Sequence, residues 1–304
     1  MSKYITGVVA ASATPIHDDF TPDTVRLVKH LRYLLDHGCD GINLLGTTGE
    51  AASFSTEQRI KIMQAVKDAG LPMSRIMVGT GVSSLAETLS LTTAADQLGF
   101  NGALIVPPFY YKGIDPAGLL SYVHQLIQLL GTATIPIYLY HIPQNTGVPW
   151  PIEVVSKLAK QYSDKVVGIK DSAGDIAYSK AVVKEVPGFQ VFPSSEATLY
   201  ESSTNGFAGC ISATTNLTAA DSQIAWSKQG TPRGESSVQR ATEHRTILAQ
   251  ESLVASVKAA LSVLYSDSGW MRTMPPMTPR NSDQTNKLTV DLVAAGWSAE
   301  PVQI

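Results

Sequence analysis

The chain is 304 residues long, 44% hydrophobic and only 16% charged, with a formal net charge of −3. That is enough apolar material for a large core, so disorder is excluded as the main state. The near-neutral charge and a pI of about 6.1 give no electrostatic reason to bind nucleic acid or an anionic membrane. The length suits two ordinary domains, or one α/β barrel that absorbs nearly all of it.

At the start, MSKYITGVVAASATP holds one lysine and a short apolar run before Thr14-Pro15. Although Ala11-Ser12-Ala13 mimics a cleavage site, we read a first strand ending in a turn, and expect a cytoplasmic protein. An amphipathic helix follows, with Val25, Val28, Leu31, Leu34 and Leu35 on one face and Gly38 closing it. Its successor is an apolar run at 41–46. Ser55-x-x-Gln58 then opens a helix as a capping box, and Ser84-x-x-Glu87 and Asp115-Pro116 open two more. Each helix ends in Gly and leads straight into an apolar run. Eight such runs predict strands at 7–14, 41–46, 75–80, 102–107, 136–142, 166–171, 189–194 and 206–213. They do not alternate, as expected for parallel strands buried on both faces. Eight βα units favour a (β/α)8 TIM barrel, an α/β fold, over an open doubly wound sheet.

Beyond residue 219 the pattern is helical only, with apolar residues at helical spacing through 234–265. The Pro-rich link TMPPMTPRNS and a last helix at 283–295 complete the chain. The expected division is a barrel domain at 1–230 and a C-terminal helical extension at 231–304. Cys39 and Cys210 both sit in apolar runs and read as buried thiols, with a disulfide as the lesser alternative. No stretch approaches the ~18–20 apolar residues of a membrane span.

In a βα barrel the chemistry lies at the carboxyl ends of the strands. Strand 2 ends in Gly46-Thr47-Thr48-Gly49-Glu50, a tight loop whose N–H groups and hydroxyls suit a small anion such as a carboxylate; an ordinary glycine turn is the alternative. Glu50 is a candidate brace for the next helix. Strand 6 ends Val166-Val167-Gly168-Ile169-Lys170-Asp171. A lysine closing an apolar run is unusual, and desolvation favours the neutral, nucleophilic amine that forms a Schiff base with a ketone. The alternatives are a snorkelling side chain and a salt bridge to Asp171. On strand 5, Tyr138 and Tyr140 share one face and Leu139 and His141 the other. Tyr140 is either a proton carrier or a core aromatic. Phe109-Tyr110-Tyr111 suits a site wall or a subunit interface.

Other chemistries find no support. His17, His30, His37, His124, His141 and His244 lack HExxH spacing, Gly79-Thr80-Gly81 lacks the third glycine of a dinucleotide loop, and no Walker loop is present. Asn216-Leu217-Thr218 matches a glycosylation triplet, which is meaningless without secretion.

Together, GTTGE at 46–50, the YxxP of Tyr140–Pro143 and GIKD at 168–171 resemble the dihydrodipicolinate synthase / N-acetylneuraminate lyase family of class I, pyruvate-type aldolases. Thr14-Pro15, the PPFYY loop, Gly209-Cys210-Ile211-Ser212 and the Pro-rich link add to a resemblance spanning residues 6 to 296. It implies that Lys170 forms the imine with the C2 ketone of pyruvate or a related 2-oxo acid, and that Tyr140 shuttles protons there. It implies that Thr47, Thr48 and Gly49 hold the carboxylate and that Ile211 lines the pocket. Thr48 would link Tyr140 to a tyrosine donated across a subunit interface, matched by Tyr110, with Tyr111 one residue away as an alternative. The protonated imine is itself the electron sink, so neither metal nor cofactor is implied. A homotetramer, a dimer of dimers, is.

One position departs from the synthase pattern. Two residues past the YxxP motif, where synthases carry a carboxylate-binding arginine, this chain has Asn145. A neutral amide cannot form that bidentate, charge-assisted pair. The sialic-acid lyase pattern is incomplete too, with Thr47 in place of Ser and no Phe-Thr after Lys170. We therefore expect an aldolase or dehydratase acting on a 2-keto-3-deoxy sugar acid or a 4-hydroxy-2-oxo acid. The polar residues Asn145, Ser172, Ser194, Ser195, Glu196 and Ser212 would face the hydroxylated chain or serve merely as loop and capping residues. The alternatives are 4-hydroxy-tetrahydrodipicolinate synthase of lysine biosynthesis and a catalytically silent 2-oxo-acid-binding paralogue.

Overall fold

A computed structural model describes residues 4–303; residues 1–3 of the expected barrel domain and 304 of the extension lie outside it. The strands are β1 (Gly7–Ala11), β2 (Gly41–Leu44), β3 (Ile76–Gly79), β4 (Gly102–Ile105), β5 (Ile137–His141), β6 (Val166–Asp171), β7 (Gln190–Pro193) and β8 (Gly209–Ser212). All eight predicted strands are present. They form one parallel sheet in the order β7-β6-β5-β4-β3-β2-β1-β8. Its ends meet where the Ala208 N–H donates to the Val191 carbonyl at 2.9 Å. This is a (β/α)8 barrel, and the open sheet is excluded.

The helices are α1 (Thr24–Asp36), α2 (Thr56–Asp68), α3 (Leu85–Leu98), α4 (Pro116–Leu130), α5 (Pro143–Thr146), α6 (Ile152–Gln161), α7 (Ile176–Glu185), α8 (Ser202–Asn205), α9 (Thr215–Ser227), α10 (Pro232–Leu248), α11 (Leu253–Leu264) and α12 (Ser282–Ala294). Their starts follow the sequence signals. Ser55 and Gln58 form the reciprocal capping box of α2, and Asp115 accepts from the Gly118 N–H at 2.6 Å with Pro116 in the first turn of α4. Ser84 caps α3 one way only, because Glu87 instead accepts from Thr56 of α2 at 3.1 Å. The helical pattern at 234–265 is interrupted: α10 and α11 meet at a bend of 110°. Among the described residues no single helix is long and apolar enough to cross a membrane.

Strand alternation sorts the core into two layers. Val9, Ala11, Met77, Leu104, Tyr138, Tyr140, Phe192 and Ile211 fill the barrel interior. Leu139, Ile169 and Val191 pack outward against α4, α6 and α7. Cys39 and Cys210 are buried and free.

A polar knot joins β1 to the C-terminal helices. Fully buried His30 meets the Tyr265 hydroxyl through Nδ1 and Asn216 Oδ1 through Nε2, both at 2.8 Å. Asn216 also receives the Ala13 N–H at 3.1 Å and donates to the Ala11 carbonyl at 2.9 Å. Asn216 is thus committed to the interior, leaving the triplet no accessible amide. Burial pushes His30 down from 6.5 to about 4, against the hydrogen bond to Asn216. Between those values the unfolded chain binds the proton more readily, so stability falls as pH falls through that window, by about 3 kcal/mol. Thermal melts at pH 7.5 and 4.5 should show this loss, and His30→Gln should melt lower at pH 7.5 but with a smaller acid-induced drop. Equal drops in both proteins would remove His30 as its source.

Candidate active site

The pairing of β5 with β6 places the two most distinctive side chains together. Ile137 pairs with Val166, but Tyr138 pairs with Gly168, so the register skips Val167. Beyond this bulge Tyr140 stands opposite Lys170. Lys170 is 3% exposed, with Nζ 4.4 Å from the centroid of the Tyr140 ring. The Tyr140 hydroxyl hydrogen-bonds Thr47 Oγ1 at 3.2 Å. Burial raises the Tyr140 hydroxyl, but the nearby Lys170 charge and the polar side chains around it, Thr47 first among them, outweigh burial and hold it below its ordinary value. Asp171 points to the outer layer, where it accepts from Ser179 Oγ at 2.7 Å and the Ala173 N–H at 3.0 Å. The lysine is therefore neither snorkelling nor spent on Asp171.

The strand-2 loop departs from strand geometry at once, since Leu45 has φ 54°. Gly79 makes room for this turn: a Cβ there would lie 2.2 Å from the Leu45 carbonyl oxygen. The turn decides which threonine serves Tyr140. It is Thr47, exposed at the mouth, whose hydroxyl reaches Tyr140, whereas Thr48 is buried. The expected link through Thr48 is thereby corrected. Gly49 is buried beside the Ser12 carbonyl and Thr14.

Glu50 does not cap its own helix. One carboxylate oxygen takes the Lys258 ammonium and the other the Met274 N–H at 2.6 Å. Both charged side chains are fully buried. Burial lowers the Lys258 amine from its ordinary value, against the pull of Glu50. Sequence reasoning missed Lys258, although a lysine inside the apolar run of α11 carries the same signal that marked Lys170.

The second-pocket candidates divide. Ile211 faces the barrel interior, while Cys210 packs in the outer layer. Ser212 shares the outward parity of Cys210, and its hydroxyl lies 3.0 Å from Thr214 and 3.1 Å from Arg245 Nη1. Glu196, with no exposed surface, accepts from Thr214, from Thr218 at 3.0 Å and from Arg245 at 3.4 Å. Glu196 and Ser212 are thus structural partners of Arg245 on α10, correcting their expected place against substrate. Ser172 is half-buried after β6, Ser194 and Ser195 are half-buried after β7, and Asn145 is exposed on α5. Tyr110 is 75% exposed with its ring against Tyr111, so within one chain it does not join Tyr140. Among the described residues no group of three or more His, Cys, Asp or Glu is placed to hold a metal ion.

The model of the Dihydrodipicolinate synthetase family matches residues 4–295. The chain belongs to this family. It is 36% identical over 208 residues to an uncharacterized DapA-like lyase of Chloroflexus aurantiacus, covering 68% of this chain and 69% of that one. It is 28% identical over 290 residues to a 4-hydroxy-tetrahydrodipicolinate synthase of Methanococcoides burtonii, covering 93% and 95%. Among solved structures, the dihydrodipicolinate synthase of Acinetobacter baumannii complexed with pyruvate superimposes with TM-score 0.86 at 28% identity, covering 97% of this chain and all of that one. A prophage protein of the same family from E. coli K12, also in complex with pyruvate, shares the fold with TM-score 0.89 at 24% identity, covering 96% and 99%. The chain is accordingly a class I, Schiff-base-forming, pyruvate-dependent lyase whose small-molecule partner is a 2-oxo acid.

The Glu196–Arg245 contact yields a test of the corrected assignment. Glu196→Ala strips Arg245 and two threonine hydroxyls of their acceptor, and should destabilise the fold by on the order of 3 kcal/mol. A lower urea midpoint at unchanged slope would report this. A midpoint within experimental error of the parent would return Glu196 to the substrate pocket.

Proposed function

We propose that this lyase cleaves or dehydrates a 2-keto-3-deoxy sugar acid or a 4-hydroxy-2-oxo acid through an imine at Lys170. The observation that carries this reading is the meeting of three side chains at the barrel mouth: buried Lys170 lies against the Tyr140 ring, and the Tyr140 hydroxyl hydrogen-bonds the exposed Thr47. The Lys170 amine adds to the C2 carbonyl, and loss of water leaves the iminium. In aldol cleavage, Tyr140 takes the proton of the C4 hydroxyl, and the C3–C4 bonding pair flows into the iminium to give the enamine and release an aldehyde. Protonation at C3 and hydrolysis then release pyruvate and restore the amine. Thr47, Thr48 and Gly49 receive the carboxylate, Ile211 bounds the pocket, and Asn145, Ser172 and Ser194 meet the hydroxylated end.

The second reading is 4-hydroxy-tetrahydrodipicolinate synthase, favoured by the name of the relative from Methanococcoides burtonii. Asn145 weighs against it, since no cation stands at the position that would grip a second carboxylate. We also infer a cytoplasmic protein with a barrel at 1–230 and a helical extension at 231–304. A homotetramer would cover the exposed Tyr110 and Tyr111 rings and bring Tyr110 to a neighbour's site.

Borohydride with pyruvate should leave a covalent adduct on the Lys170 peptide, absent from Lys170→Ala; equal labelling of the variant would refute the imine. Tyr140→Phe should still be trapped but turn over roughly 10²–10⁴-fold more slowly. Asn145→Arg should keep pyruvate trapping while shifting kcat/KM toward carboxylate-tailed substrates. An unchanged ratio would mean residue 145 does not meet substrate, and would remove the argument against lysine biosynthesis.

A further inference from the structure

We propose that Lys258 is a positioning residue for substrate capture: buried against Glu50, it cancels the only negative charge of the strand-2 loop so that the loop can receive an anionic carboxylate. This rests on the Lys170 imine reading, since it concerns how the same site accepts a 2-oxo acid. Within residues 46–50 Glu50 is the sole ionisable side chain. It follows Thr48 by two residues, which limits their Cα separation to about 7 Å. A bare carboxylate so close, out of water, would oppose any carboxylate held by Thr47 and Thr48. Neither oxygen of Glu50 is left bare: one meets Lys258, the other the Met274 N–H, and both partners lie over 200 residues further along the chain. Lys258 has no exposed surface, so water does not share the task.

Stability alone does not account for such a pair. Apolar residues of similar volume usually serve a core at least as well as a buried ion pair does. A charge-balancing role does account for it, because the loop needs Glu50 to reach two distant segments and cannot keep its charge uncompensated beside an anion. The C-terminal helices thereby take part in substrate binding without touching substrate.

The test compares borohydride trapping of the full chain with pyruvate and with acetone, a ketone lacking the carboxylate. A purely structural role would move both probes together. Lys258→Met should lower the trapping efficiency with pyruvate at least tenfold, through the concentration giving half-maximal trapping rather than the rate at saturation, and acetone trapping should change less than threefold. Lys258→Arg should retain the parent ratio of the two efficiencies, and Lys258→Met with Glu50→Gln, which removes both charges and keeps an acceptor for Met274, should return toward it. If Lys258→Met does not fold, Glu50→Gln alone should raise the pyruvate-to-acetone ratio at least threefold by leaving the cation unopposed. A ratio that stays constant across the folded variants overturns the proposal while leaving the imine reading intact. Failure of the parent protein to form a pyruvate adduct on Lys170 overturns the reading itself, and this proposal with it.

Discussion

The site depends on a single irregularity in the sheet, the residue skipped between β5 and β6. Continued from the Ile137–Val166 pair without a bulge, the register would set Tyr140 opposite Ile169 and turn Lys170 toward the helices. Skipping Val167 shifts everything after it by one, so both Tyr140 and Lys170 face the interior. Gly168 makes the shift possible. A Cβ there would fall 2.5 Å from both the Tyr138 ring and the Gln190 carbonyl oxygen, so no larger residue lets the Tyr138 ring lie across β6. Lys170, once inside, has its amine against the face of the Tyr140 ring.

The same economy of buried charge explains why the C-terminal helices pack where they do. Two loops at the carboxyl ends of strands each carry a buried carboxylate, Glu50 after β2 and Glu196 after β7. Each finds its cation on the extension, Lys258 on α11 and Arg245 on α10. An unpaired carboxylate in either place would be strongly unfavourable. The bend of 110° between α10 and α11 lets consecutive helices reach both loops from one side of the barrel. His30 and Asn216 add a neutral polar contact between the extension and β1, so the extension braces the barrel end where the chemistry resides.

Much of the fold was legible because its signals are local. A capping serine and its glutamine act within one turn, a glycine ends a helix by its own backbone freedom, and a parallel strand shows as an unbroken apolar run. The division of α10 from α11 was not, since Ala249-Gln250-Glu251-Ser252 contains neither glycine nor proline. Lys170 stood out because a lysine in an apolar run demands a reason, and Lys258 offered the same evidence in α11. Ser212 was partly readable. With Ile211 beside it at the end of a strand, alternation leaves only one of the two facing the pocket.

By itself, the sequence determined eight βα units, the helical extension, and a lysine, a tyrosine and a threonine loop at the ends of strands 6, 5 and 2. These follow from short-range preferences and from the rarity of buried charge. Only the tertiary structure decided that Thr47 rather than Thr48 reaches Tyr140, that Lys170 faces inward, and that Glu50 and Glu196 turn to the extension. The physical reason is common to all three. Left-handed Leu45 and the skipped Val167 break the alternation from which facing is read, and ion-pair partners far apart in sequence leave no periodic trace.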